Sequence, residues 1–162
     1  MASTITASTL KVNIREDIKL NGVQQGGSHT FELNNVNEIY KRIVTCPANI
    51  DTTAARFRSD TSLSGSSLDI EDVRYIRVTN LDDSNSVNLS LQIDTGENDS
   101  GANDSATLLL EAGNSFMMGS TNDGIAVSSD NNTVITDLVD LESILIDPSA
   151  NAVDVEIFIA SV

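Results

Sequence analysis

Tryptophan is absent from this chain of 162 residues, and cysteine and histidine occur once each, at Cys46 and His29. One cysteine excludes an internal disulfide, and one thiol with one imidazole leaves a zinc site almost no ligands to draw on. A Cys46–His29 pair is the only nucleophilic dyad of that kind available. Cys46, however, closes the strand-like stretch Arg42-Ile43-Val44-Thr45-Cys46 ahead of Pro47, a setting in which cysteine serves as a small buried hydrophobe. With no tryptophan and two tyrosines, the chain has little from which to build the sugar platform of a glycosidase. Apolar runs are short, Ile157-Phe158-Ile159-Ala160 being typical, so no segment reads as a membrane span. The opening Met1-Ala2-Ser3-Thr4-Ile5-Thr6 has neither the basic nor the apolar region of a signal peptide, and synthesis in the producer's cytoplasm is expected.

Basic residues are scarce and confined. The formal net charge is -15, and all nine lysines and arginines fall between Lys11 and Arg77. Up to Arg77 acids and bases balance, so the whole net charge belongs to the remainder. A nucleic-acid backbone or an anionic membrane would be repelled by that half. Two readings of the asymmetry stand. Surplus acid keeps a β-rich protein soluble and apart from its copies, or the neutral half carries a contact surface while the acidic half faces water.

What the chain has in abundance is short polar side chains: sixteen Asn, sixteen Asp, twenty Ser and fourteen Thr. These bond their own backbone and favour turns over helix interiors, which argues against a helical protein. Between them runs an alternation of period two, the signature of strands with one buried face. Leu10, Val12, Ile14, Ile18 and Leu20 share a face, followed by Asn21-Gly22, a hairpin turn pair. Phe31 and Leu33 mark a short strand. Asn34, Asn35 and Asn37 suggest a turn before a strand over residues 41–45, and another strand falls near residues 54–58. Residues 74–79 and the alternating Val87, Leu89, Leu91, Ile93 read as a hairpin across Asp82-Asp83-Ser84-Asn85. Residues 95–106 form a long acidic loop. Short strands follow at 108–110, 115–118 and 125–127, and residues 140–147 and 153–160 read as a final pair. Eight to ten short strands without a long helix predict an all-β, antiparallel β-sandwich, of which the jelly roll is one form. Residues 1–9 read as an N-terminal arm and residues 10–162 as a single sandwich domain.

The motifs of chemistry are missing from this frame. Asp94, Glu97, Asp99 and Asp104 crowd one loop, but an EF-hand register from Asp99 puts Asp104 where glycine is required and Leu110 where the bidentate glutamate belongs. No phosphate-binding glycine loop and no Gly-x-Ser-x-Gly elbow occur. Acids are plentiful, but nothing selects a glycosidase pair. No catalytic, cofactor-binding or metal-binding residue is therefore assigned, and no enzyme is expected. A sandwich has open edges to manage, and strand addition by an arm is one way to do so. Ser3, Thr4, Ile5, Thr6 and Ala7 are the candidate partner-binding residues.

Three stretches carry a resemblance: Tyr75-Ile76-Arg77-Val78-Thr79-Asn80-Leu81-Asp82 leading into a Val-x-Leu-x-Leu strand, Leu110-Glu111-Ala112-Gly113-Asn114-Ser115-Phe116-Met117-Met118, and Val155-Glu156-Ile157-Phe158-Ile159-Ala160-Ser161-Val162. Together with the Ser/Thr-rich start they resemble small β-sandwich virion proteins of tailed bacteriophages, marine and cyanobacterial ones in particular. That resemblance implies a non-enzymatic part of the virion: a head decoration or cement protein, or a tail or neck component. It also implies a homo-oligomer, a trimer by preference, in contact with the major capsid protein or other virion proteins. A free carbohydrate- or calcium-binding module is the alternative from another class.

Overall fold

A computed structural model describes residues 5–58, 68–93, 104–128 and 138–162. The described residues contain fourteen strands and no helix. Four of them build an arm: β1 (Ser8–Arg15), β2 (Lys19–Leu20), β3 (Val23–Gln24) and β4 (Ser28–Val36). Eight build the body: β5 (Glu38–Cys46), β6 (Thr52–Arg58), β8 (Val73–Asn80), β9 (Val87–Ile93), β10 (Asp104–Leu110), β11 (Ser115–Gly119), β13 (Val139–Asp147) and β14 (Val153–Ser161). Two-residue strands β7 (Leu68–Asp69) and β12 (Ala126–Val127) pair with β6 and β13.

One sheet has the order β11-β8-β14-β5 and the other β10-β9-β13-β6, with β7 outside β6. Successive body strands cross from one sheet to the other at every step except β9 to β10, which pair directly. That connectivity is the double-sheet jelly roll, and all the body strands pair antiparallel. Ten of the fourteen strands are longer than two residues, at the top of the expected eight to ten; β2, β3, β7 and β12 are two-residue pairings.

Alternation explains the packing. On β14, Val153, Val155, Ile157 and Ile159 point inward and are buried, while Asp154 and Glu156 point outward. Ile76 and Val78 of β8 face Leu89 and Leu91 of β9 and Ile144 and Ile146 of β13 in a single core. The two halves of the sequence interleave in both sheets, so the charge asymmetry of the chain is not an asymmetry of two bodies.

Two pairings expected from the sequence are corrected. β8 and β9 do not form a hairpin, and neither do β13 and β14; in each case the strands lie in opposite sheets. Period-two alternation gives the same pattern to a strand beside its predecessor and to one facing it across the core. The connections decide, and both are built as arches. Asp82 Oδ1 accepts the amides of Ser84 (2.9 Å) and Asn85 (2.7 Å), and the Asp147 carboxylate accepts the amide of Ser149 (2.9 Å).

The arm also differs from expectation. Ser8 and Thr9 already belong to β1, which pairs with β4 from Ser8↔Val36 to Arg15↔Ser28, so the hairpin extends over residues 8–36 and the body begins at β5. Asn21 and Gly22 both take positive φ (50° and 82°), the conformation of the expected tight turn. Asn35, with φ 63°, sits in a bulge where the register shifts, and this turns both Leu33 and Val36 inward. Of the alternating face Leu10 to Leu20, only Leu10 and Val12 are half-buried; Ile14, Ile18 and Leu20 are exposed. The periodicity was that of a strand whose distal half has no sandwich beneath it.

Candidate functional site

The outer face of the β11-β8-β14-β5 sheet is where the arm meets the body. Leu33 and Val36 of the arm pack with Tyr75 of β8 and Ala160 of β14, and Leu10, Val12, Phe31 and Phe158 close around them. The Phe31 and Tyr75 rings lie 6.1 Å apart, and Tyr75 meets Phe158 edge-on at 6.0 Å. Burial pushes the Tyr75 hydroxyl up from its ordinary value. A Cβ on Gly119 would stand 3.1 Å from Phe31 Cζ, so the ring reaches over β11 at the sheet's edge. The arm thus lies across β14, β8 and β11, and beyond Phe31 it overhangs the body. Neither β2 nor β3 is buried: Ile18 is 54%, Leu20 61% and Val23 58% exposed.

Next to this cluster the same face carries charge. Arg77 donates to the Glu156 carboxylate and, through Nη1, to Thr79 Oγ1 at 2.6 Å, while Lys41 Nζ lies 3.3 Å from Glu156 Oε2. The Arg77 hydrogen bond holds the Glu156 carboxyl below its usual range. Thr79 in turn bonds Ser115 at 2.7 Å. Both cations are engaged, and the group knits β5, β14, β8 and β11 side by side.

At the far end of the face is an open pocket of about 340 Å3 lined by Ile43, Thr45, Leu81, Asp82, Ala152 and Asp154. Ile43 is 61% and Leu81 45% exposed. Thr45 donates to Asp154 at 2.6 Å. Neither Asp82 nor Asp154 forms an ion pair among the described residues.

The residues singled out from sequence fall as follows. Ser3 and Thr4 lie outside the described residues; Ile5, Thr6 and Ala7 are exposed and pair with no described strand. Asp94, Glu97 and Asp99 also lie outside them, and Asp104 opens β10. Among the described residues no group of three or more His, Cys, Asp or Glu could hold a metal ion. Cys46 is fully buried at the end of β5, its thiol pushed up by burial, whereas His29 is exposed on the arm opposite Ile14. They occupy separate elements. The exposed tip of the arm and the pocket escaped the sequence reading. The tip's signal was the continuation of apolar alternation up to Asn21-Gly22; the pocket joins residues from three distant segments and had no local signal.

No family model matches the chain, and no curated protein or solved structure matches it.

Proposed function

We propose that the protein is a structural component of a tailed-phage particle, a decoration or cement protein that binds the outer surface of the head and braces it. The observation that carries this reading is the arm. A two-stranded hairpin projects past the edge of its own sandwich with Ile18, Leu20 and Val23 on its surface, and exposed apolar groups on such an extension find their use against another protein. The resemblance of three stretches to virion proteins supports the same reading, as does the jelly roll, which serves among other roles as a viral capsid domain. That second support is fold analogy, since the jelly roll also builds lectins. None of the exposed large hydrophobic residues among the described residues is aromatic, which suits protein contact better than stacking on sugar rings. Adhesion by many copies needs no reactive group: each copy buries modest area across neighbouring subunits, and multiplicity supplies the strength.

Purified protein mixed with heads stripped of it should co-sediment with them and raise the temperature at which they disrupt. Heads that sediment without bound protein at micromolar concentrations overturn the proposal.

A further inference from the structure

We infer that Asn21-Gly22, at the apex of the arm, is a site of spontaneous covalent modification: the asparagine carboxamide is lost, and the isoaspartyl product unmakes the hairpin tip. The amide nitrogen of Gly22, once deprotonated, attacks Asn21 Cγ. The side-chain nitrogen takes up the proton and leaves as ammonia, and a five-membered succinimide closes. Water then adds to one of the two ring carbonyls. Opening at the side-chain carbonyl gives aspartate. Opening at the main-chain carbonyl gives isoaspartate, with the backbone routed through Cβ and Cγ. One water is consumed, one ammonia is released, and nothing is oxidised or reduced.

Sequence and structure both single out this position. Asn-Gly occurs once among sixteen asparagines, and glycine, without a Cβ, leaves its own nitrogen least shielded. Both residues are exposed, and a Cβ on Gly22 would meet nothing within 4 Å, so ring and water have room. No hydrogen bond among the described residues holds the Asn21 side chain; the nearby Gln24 bonds Asp17 instead. The carboxamides of Asn80, Asn85, Asn88 and Asn151, by contrast, are tied to the body. The one Asp-Gly pair, Asp123-Gly124, is packed: a Cβ on Gly124 would stand 2.8 Å from the Ile70 carbonyl oxygen.

The turn itself is the brake. Its φ values of 50° and 82° are those of type I′, in which ψ of Asn21 is about +30° and the Gly22 nitrogen points away from Cγ. Ring closure therefore waits for the turn to open. Lys19↔Gln24, Leu20↔Val23 and the Gln25–Ile18 backbone bond hold it closed, with Ile18, Leu20 and Val23 exposed. A two-stranded ribbon of that size is marginal in water. An isoaspartyl link lengthens the main chain of a two-residue turn, and the Leu20↔Val23 register that this turn fixes is lost.

The modification needs nothing from the proposed function; only a consequence for head binding would rest on that reading. Full-length protein is held at neutral and at mildly alkaline pH, digested at intervals and mapped by mass spectrometry. Asn21 should convert at least about tenfold faster than any other asparagine, and faster at the higher pH. Its rate should lie within about a hundredfold of that in the urea-unfolded chain. Gly22→Ala should slow conversion by about tenfold or more, even though its strained turn opens more readily. The isoaspartyl form should lose the cross-strand nuclear Overhauser contacts between Leu20 and Val23. Asn21→Asp, with the aspartyl charge and an unaltered main chain, should keep them. An Asn21 that stays intact while the unfolded chain converts, a different asparagine that converts first, or an isoaspartyl tip that keeps its contacts overturns the inference. Fresh protein that fails to bind heads while Asn21 converts removes the proposed function and leaves the modification standing. Fresh protein that binds heads while Asn21 stays intact does the reverse.

Discussion

Asn80, the last residue of β8, donates its side-chain amide across the sandwich to the carbonyl of Leu110, the last residue of β10 in the opposite sheet, at 3.2 Å. The same amide donates to the Asn85 carbonyl at 2.8 Å, and the side-chain oxygen accepts the Asp82 amide at 3.0 Å. Asn80 is fully buried, so it replaces solvent for backbone groups at the point where the chain crosses between sheets. Asn80→Ala removes all three hydrogen bonds and opens a small cavity. A loss of about 2–4 kcal/mol in unfolding free energy is expected, read from urea denaturation with an unchanged slope. A loss under 1 kcal/mol would show that the arch holds itself without this side chain.

This side chain also marks the limit of what could be read from sequence. Inward and outward faces were legible because alternation is a local property: Ile76 and Val78, Val87 to Ile93, and Val153 to Ile159 all point as expected. Strand pairing was not legible where an arch and a hairpin share one pattern, and the difference between them lies in side chains such as Asn80, one asparagine among sixteen. The arm shows a second limit. Ile14, Ile18 and Leu20 alternate as correctly as Leu10 and Val12, but whether a sheet lies beneath them is a tertiary fact. The pocket is least legible of all, because Ile43, Leu81 and Asp154 come together only through the β5-β14-β8 order.

Cys46 provides a reporter of global opening. It is fully buried at the end of β5, paired with Val153, and burial pushes its thiol up, away from the reactive thiolate. Alkylation of the native protein should be slower than that of the unfolded chain by several orders of magnitude, in proportion to the open population. Mass spectrometry after timed iodoacetamide exposure measures this directly. Reaction at the rate of a free thiol would show that the β5 end frays on its own.

The arm should open independently of the body. Phe31 is half-buried against Tyr75, and Phe31→Ala removes its principal aromatic contact. Amide exchange over residues 8–36 is expected to speed up by roughly tenfold to a hundredfold, corresponding to about 1–3 kcal/mol, while β9 and β13 keep their protection. Gly119→Val should act in the same direction, because its Cβ would crowd Phe31 at 3.1 Å. Equal loss of protection in the body would mean that arm and sandwich unfold as one unit.

Glu156 makes the outer face sensitive to acid. It lies on β14 between Arg77 of β8 and Lys41 of β5, and the Arg77 hydrogen bond holds its carboxyl below the ordinary glutamate value of 4.5. A carboxyl depressed in the folded state contributes stability that is fully present above its unfolded value and is lost as pH falls through the folded one. Acid also relieves the repulsion of a chain of charge -15, an opposite effect that the parent protein alone cannot separate. Glu156→Gln keeps the shape and removes the titration. The difference in Tm between parent and variant should therefore hold steady at pH 6 to 7, begin to shrink below about pH 4.5, and vanish once pH has fallen through the depressed folded value. A difference that is independent of pH would show that the carboxylate charge does not couple β5, β14 and β8.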